Sequence, residues 1–297
     1  MSIPYVREVE FEYGVVDQVS PMIRRIICNN PGGFTFHGTG TYIIGHGDVA
    51  VIDPGPLDTK HISALENAVV GETVSHILIT HTHRDHSPAA AELKTITGAP
   101  TYGYGPHGGD RGAPKVEEGG DYDFVPDQII KDGEVITGVG WTFEVIHTPG
   151  HTSNHLCFAL REEKAIFSGD HVMGWSTSVI SPPDGNMADY LSSLRRLLAR
   201  DEEIYWPTHG PPITSPKVHV EAFLAHRAAR EEAIIECIRN GRTKIATMVE
   251  VMYADVDPRL HSAAGRSVFA HLLHMTDKGR IQTDKVPSPD GEFAISK

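Results

Sequence analysis

Ile77-Leu78-Ile79-Thr80-His81-Thr82-His83-Arg84-Asp85-His86 sets three imidazoles and a carboxylate directly behind a short apolar run. The apolar run reads as a buried strand, so the polar residues occupy the loop that leaves its end. Imidazole and carboxylate are the usual nitrogen and oxygen donors for zinc and related divalent ions, and a loop at a strand end can turn several of them toward one point. A histidine-rich surface turn would need neither the strand nor further donors downstream.

Upstream of this stretch, Ile23 to Cys28, Thr41 to Ile44 and Val49 to Ile52 are apolar runs separated by Gly, Pro and Asn clusters, the pattern of an antiparallel meander. Asp53-Pro54-Gly55-Pro56 stops that run. Leu57 to Val69 has helical spacing with Asp58 as its N-cap, and Ser87 to Thr97 reads as a second helix, giving a β-α-β-α progression around a strand at 76–80. Residues 103–127 are rich in Gly, Pro and acids and show no periodic element; they read as a solvated surface loop or, functionally, as a lid. Strand patterns return at 141–146, 156–160 and 165–167, followed by an amphipathic helix over 186–199 and a short strand at 204–206.

Pro211-Pro212 breaks this series, and the chain divides into a catalytic domain over 1–214 and a helical domain over 215–297. The second part reads as helices ending near Arg239, over 244–253 and over 263–278, then a ribbon at 279–282. Three helices and a ribbon, with basic residues on the third helix, resemble a winged helix. Without a nucleic-acid role the same unit would serve either packing within the chain or dimerisation, a homodimer being the outcome of the second.

Composition narrows the class. The chain has 297 residues, 40% hydrophobic and 22% charged, as ordinary globular proteins do, with no apolar run long enough to span a bilayer. Its start, carrying Glu8, Glu10 and Glu12, lacks the basic and apolar pattern of an export signal, so a cytoplasmic location is expected. Cys28, Cys157 and Cys237 are odd in number and set in apolar sequence, which predicts buried free thiols and leaves metal ligation to nitrogen and oxygen. The net charge of −13 is concentrated in residues 1–216, which carry −14, whereas 217–285 carry +2. An acidic body repels a polyanion, so nucleic-acid binding would require a local basic patch or the metals themselves.

Three further donors sit where strand patterns end: His151 after 141–146, Asp170 after 165–167 and His209 after 204–206. With His81, His83, Asp85 and His86 they make seven, too many for one tetrahedral ion and suited to a pair of divalent ions sharing a carboxylate. Zinc is the expected metal, manganese and iron being compatible with the same donors. Such a pair lowers the pKa of a shared water and neutralises charge building on an attacked carbonyl or phosphoryl oxygen.

The ordered set His81-x-His83-x-Asp85-His86, His151, Asp170 and His209 resembles the metallo-beta-lactamase superfamily over about residues 20–212. The resemblance implies a mixed α/β (α+β) fold, a four-layer αββα sandwich with the winged-helix-like domain following it. It also implies that His81, His83 and His151 hold one metal, that Asp85, His86 and His209 hold the other, that Asp170 bridges them, and that Asp53 braces the site. Aspartate at 170 departs from true lactamases, whose second site uses cysteine or serine, so antibiotic hydrolysis is not expected. Asp170-His171-Val172-Met173-Gly174, Ser181-Pro182-Pro183-Asp184-Gly185 and Pro207-Thr208-His209-Gly210-Pro211 are similar to a beta-lactamase-like group that includes an endoribonuclease. Gly40, and the insertion at 103–127, depart from that group.

The expected activity is therefore dinuclear metal-dependent hydrolysis, with Asp85 orienting the attacking water and His155, four residues after His151, as a general acid or a second-layer ring. Single-stranded RNA is the substrate suggested by the appended domain. A small-molecule ester or thioester, as in glyoxalase-II-like hydrolysis, is the alternative favoured by the acidic body. A mononuclear iron dioxygenase acting on persulfides shares most of the ligand pattern with the second site empty. His147 and His171 are expected to point away from the ligands, and His37, His46, His61, His76, His107 and His261 show no ligand spacing.

Overall fold

Strands buried on both faces require a layer on each side, and this sequence supplies two such sheets. The computed structural model describes residues 2–109, 111 and 118–296. The first sheet has seven strands in chain order: β1 (Asp17–Gln18), β2 (Ile23–Ile27), β3 (Gly40–His46), β4 (Asp48–Ile52), β5 (Thr73–Leu78), β6 (Thr101–Gly103) and β7 (Gln128–Ile129). Pairing is antiparallel from β1 to β4 and parallel from β4 to β7. Parallel pairing needs a crossover, which α1 (Thr59–Ala68) and α2 (Ala90–Thr97) provide.

The second sheet runs β12-β11-β10-β9-β8, from β8 (Val135–Gly138), β9 (Trp141–His147), β10 (Leu156–Leu160), β11 (Ala165–Gly169) and β12 (Ile204–Pro207). Alternation along β9 and β10 assigns the faces: Phe143, Val145, Leu156 and Phe158 meet Ile44, Ile52 and Leu78 of the first sheet in the central core. Ile146, Cys157 and Ala159 turn outward under α3 (Met187–Leu198) and the first turns of α4 (Pro216–Arg239). On the far side, Leu65, Ala90 and Leu93 cover Ile43, Val51 and Ile77. The architecture is the four-layer αββα sandwich that the sequence implied.

Helix starts fall where side-chain oxygens are available. Asp58 accepts from the His61 amide, and Asn186 accepts from the Ala188 and Asp189 amides. The strands of the two sandwich sheets missed in the sequence, β1, β6, β7 and β8, are two to four residues long and carry too little alternation to register. All three cysteines are buried and free. Among the described residues no helix is long and apolar enough to cross a membrane.

The C-terminal part holds α5 (Ile245–Met252), α6 (His261–Asp277) and a ribbon of β13 (Ile281–Gln282) and β14 (Ala294–Ile295). Its core, with Met248, Val268, Leu272 and Phe293, includes Ile234 and Ile238 from the end of α4. Helix α4 thus runs unbroken from the core of the sandwich, where it buries Val220 and Phe223, into the core of the C-terminal unit.

The segment 103–127 is more structured than the sequence suggested. Gly120 forms an antiparallel bridge with His83, the Asp121 amide donates to the Thr82 carbonyl at 2.8 Å, and Ser87 donates to the Asp121 carboxylate at 2.7 Å. Residues 118–123 therefore brace the His-rich loop instead of standing in solvent as a surface loop. A lid formed by residues 110 and 112–117 lies outside the described residues.

Because Phe158 is wholly buried between the sheets, Phe158→Ala is expected to cost about 3–5 kcal/mol and lower the thermal midpoint by roughly 6–20 °C. Val286→Ala, at a position 86% exposed, is expected to leave the circular-dichroism melt within about 0.5 kcal/mol of wild type.

Candidate metal centre

The seven donors arrive on loops at one edge of the two facing sheets, after β5, β9, β11 and β12. What gathers these loops is Asp53, just past β4, fully buried and held at φ +48°, in the left-handed region that Asp tolerates better than most residues. A buried carboxylate must collect hydrogen bonds. Asp53 accepts from the Thr80 amide (2.8 Å) and hydroxyl (2.6 Å), from His86 Nδ1 (2.9 Å) and from the Thr208 hydroxyl (3.1 Å).

These bonds set the imidazole tautomers. With Nδ1–H given to Asp53, His86 presents Nε2 inward. The Thr80 hydroxyl, having donated to Asp53, accepts from His81 Nδ1 at 3.1 Å, which leaves His81 Nε2 as a lone pair. His151 Nδ1 donates to the Val179 carbonyl at 2.7 Å, and His209 Nδ1 to the Gly38 carbonyl at 3.2 Å, so both also turn Nε2 inward.

His81 Nε2 lies 3.1 Å from His83 Nδ1, which lies 3.2 Å from His151 Nε2. One tetrahedral ion with bonds of about 2.0–2.1 Å would separate its ligands by roughly 3.3 Å, so this trio fits a single ion. On the other side, Asp85 Oδ2 stands 3.3 Å from His86 Nε2 and 3.1 Å from His209 Nε2. Asp170 Oδ2 sits between the trios, 3.4 Å from His209 Nε2, 3.5 Å from His86 Nε2 and 3.8 Å from His151 Nε2. The trios His81-His83-His151, His81-His86-Asp170 and Asp85-His86-His209 each keep their donor atoms within 4.8 Å of one another. His86 Nε2 and Asp170 Oδ1 are buried without a hydrogen-bond partner, as atoms reserved for ions would be. The donors present therefore fit two divalent cations.

The electrostatics agree. Burial, reinforced by the neighbouring rings, pushes His81 and His83 far below the usual histidine range, so both stay neutral and available as ligands. Burial opposes charge on His86 and His209 as well, but the carboxylates outweigh it. Asp85, Asp170 and Asp53 raise His86 well above its ordinary value, and Asp170 and Asp85 raise His209 to about 10. Burial likewise works to neutralise Asp85 and Asp170, yet the facing imidazoles hold both ionised. This half of the site attracts positive charge.

Of the two sequence readings of His155, general acid or second-layer ring, the geometry fits the second. Its ring is fully buried, burial first and His171 and His151 next hold its pKa far below normal, and its Nε2 accepts from the Asp170 amide at 3.3 Å. Its Nδ1 meets the Thr148 hydroxyl at 2.8 Å. That is the geometry of a neutral ring fixing the Asp170 loop. His171 is buried against Tyr190, with ring centroids 4.6 Å apart, and belongs to none of the trios, as expected.

Two features have contacts that the sequence did not show. Arg227, on α4 and 3% exposed, donates to the Ser178 carbonyl at 2.5 Å and lies over the Tyr190 ring. The Ser178 hydroxyl donates to the Asp170 carbonyl at 2.6 Å, and the next residue, Val179, holds His151. Arg227 thus reaches two donors through one segment. The second feature is a cavity of about 930 Å³, bounded by His83 and His151, by His107 and Tyr122 of the insertion, and by α6. His107, taken as ordinary in the sequence, has its ring 5.7 Å from that of His83 and Nδ1 2.8 Å from the Thr82 hydroxyl. Only its place in a Gly-rich insertion could have flagged it.

Comparison with known proteins places this geometry in a family. The family model of the metallo-beta-lactamase superfamily matches residues 35–209, and that of the beta-lactamase associated winged helix domain matches 245–286. The atrochrysone carboxyl ACP thioesterase of Aspergillus chevalieri is 31% identical over 87% of this chain and 79% of its own. The beta-lactamase-like protein 2 homolog of Caenorhabditis elegans is 31% identical over 90% of this chain and 88% of its own. A beta-lactamase domain protein from Burkholderia ambifaria, 18% identical, superposes with a TM-score of 0.80 over 99% of this chain and 97% of that one, a likeness of fold. With more than half its length matched by the first of these models, the chain is a hydrolytic enzyme belonging to the metallo-beta-lactamase superfamily and carries a C-terminal winged helix domain.

Proposed function

We propose that the protein is a dinuclear metal-dependent thioesterase, with His81, His83 and His151 holding one ion, Asp85, His86 and His209 the other, and Asp170 shared. Two divalent cations there would supply a water of lowered pKa and neutralise charge developing on the thioester carbonyl. The observation that carries the substrate class is the cavity beside the donors, whose far wall is the largely apolar face of α6, suited to an acylated thiol. Relatives about 30% identical and named acyl carrier protein thioesterases support the same reading.

The remaining work falls to the chain. Asp85, anchored by the Thr39 hydroxyl at 3.3 Å, orients the attacking water. Asp53 and the Val179 carbonyl keep His86 and His151 in ligating tautomers, and His155 fixes the Asp170 amide. A thiolate leaving group has a pKa of about 8.5 and departs without a proton, whereas an alkoxide from a phosphodiester, with a pKa nearer that of water, needs one. His155 points its lone pair at Asp170 and is not available as that acid. A thioester therefore matches what the site offers.

RNA cleavage, read from the winged helix, is disfavoured by charge: the chain as a whole is acidic, and Arg280 is committed to Glu231 and Glu232. The deciding experiment is a matched panel of acyl thioester, simple ester and labelled single-stranded RNA with elemental analysis of the purified enzyme. Thioester cleavage with two zinc, manganese or iron ions per chain is expected. RNA cleavage without thioester cleavage would overturn the substrate, and a single iron per chain would overturn the dinuclear hydrolase in favour of an oxygenase.

Asp170→Asn keeps the shape and removes the shared charge. It is expected to lower kcat/KM for the thioester by ~100-fold or more and to reduce the metal content, with an unchanged circular-dichroism spectrum. Arg227→Met, which preserves stem packing but releases Ser178, is expected to weaken metal affinity about 10- to 100-fold in chelator competition and to broaden the visible bands of the cobalt-substituted protein. Unchanged affinity and bands would confine Arg227 to holding α4 in place.

A further inference from the structure

The winged helix presents its third helix inward. Along α6 the residues Gly265, Arg266, Phe269, Ala270, Leu273 and His274 all line the cavity that His83 and His151 open into. Their spacing of three and four is one face of the helix, and that face is mostly small or apolar. The helix that a nucleic-acid-binding winged helix would offer to a groove is here turned toward the metal centre as a wall. Pro287 and Pro289, beyond β13, and Ile245 of α5 extend the same apolar surface.

Arg266 breaks the pattern. It is the single Lys or Arg on this face of α6. Its Nε is buried without a partner, and its Nη1 makes one long bond, 3.3 Å, to the Ser262 hydroxyl one turn earlier. A guanidinium with an unsatisfied buried donor, facing a cavity, lacks an acceptor that a ligand could bring. Arg84 lines the same cavity, in a chain whose net charge is −13, whereas Arg111, also on the lining, is paired with Asp123 at 3.0 Å. Two carboxylates share the lining. Asp184 accepts from the Ser153 amide (3.2 Å) and hydroxyl (2.5 Å), which hold it on the side of Ser153, and Asp277 lies three turns along α6 from Arg266.

From this juxtaposition, and resting on the thioesterase reading above, we propose that the cavity takes the thiol arm of the substrate as well as its acyl group, and that Arg266 binds a phosphate on that arm. The scissile carbonyl lies at the donors, the apolar stretch of the arm lies along Gly265, Phe269 and Leu273, and the phosphate meets the Arg266 guanidinium, with Arg84 on the same lining. The substrate class is an acyl-4′-phosphopantetheine, a group common to acyl carrier proteins and coenzyme A. A planar fork with several N–H donors suits a phosphate better than a point charge would.

The test compares one acyl group on five carriers: pantetheine, 4′-phosphopantetheine, glutathione, coenzyme A and an acyl carrier protein. In the metal-loaded wild type, kcat/KM for the phosphorylated arm should exceed that for pantetheine by roughly 10- to 100-fold, the difference lying in KM. In Arg266→Met the ratio should fall to near unity, and Arg266→Lys should restore part of it. Calorimetry with free 4′-phosphopantetheine and free pantetheine reads the same preference without turnover, since both thiols meet the donors alike and differ in the phosphate. Equal affinity for the two thiols, equal rates on both arms, or a preference for glutathione over the phosphorylated arm overturns the phosphate site while leaving thioester hydrolysis intact. Failure to cleave any of the five removes the thioesterase reading itself, and the calorimetric comparison still decides whether Arg266 reads phosphate. Coenzyme A and carrier protein then separate the two sources by which is cleaved with the lower KM.

Discussion

A single buried carboxylate holds this structure's working edge together. Asp53 has no solvent to satisfy it, and it draws donors from the loop after β5 and the loop after β12 onto its two oxygens. Those loops belong to different sheets. Because a buried charge without partners is strongly unfavourable, the two sheets can close over their shared core only with Thr80, His86 and Thr208 brought to the same point. The backbone of Asp53 accepts a left-handed conformation to make this possible.

From that constraint the donor geometry follows by hydrogen-bond logic. Each ring whose outer nitrogen is given to a carboxylate, hydroxyl or carbonyl must turn its other nitrogen inward, and His81, His86, His151 and His209 do so from four separate acceptors. Inward lone pairs at 3.1–3.2 Å repel one another unless a cation lies among them, and the ionised Asp85 and Asp170 add to the same demand. The fold pre-organises a site that is electrostatically incomplete by itself, which is how such centres secure both affinity and a fixed reaction geometry.

The C-terminal unit enters this arrangement at two places. Arg227 joins α4 to the segment that steadies Asp170 and His151, and α6 walls the cavity that opens from His83 and His151. A catalytic sandwich with a separable appendage would show neither contact. Helix α4, unbroken between the two cores, transmits one rigid frame to both.

Local sequence determined much of this. The alternation of apolar residues marked β2 to β5 and β9 to β12, Asp58 and Asn186 marked two helix starts, and all seven donors were visible because each follows a strand pattern directly. Short-range chemistry leaves a trace in the order of residues. The roles of His107, Arg227 and Arg266 left none, and neither did the bridge from Gly120 to His83. Thr208 reaches Asp53 across 155 positions, and Arg227 reaches Ser178 across 49. Such contacts are fixed by how twisted sheets and their covering helices pack, so only the tertiary structure could decide which nitrogen of each ring faces inward, which arginine is buried and which face of α6 meets the cavity.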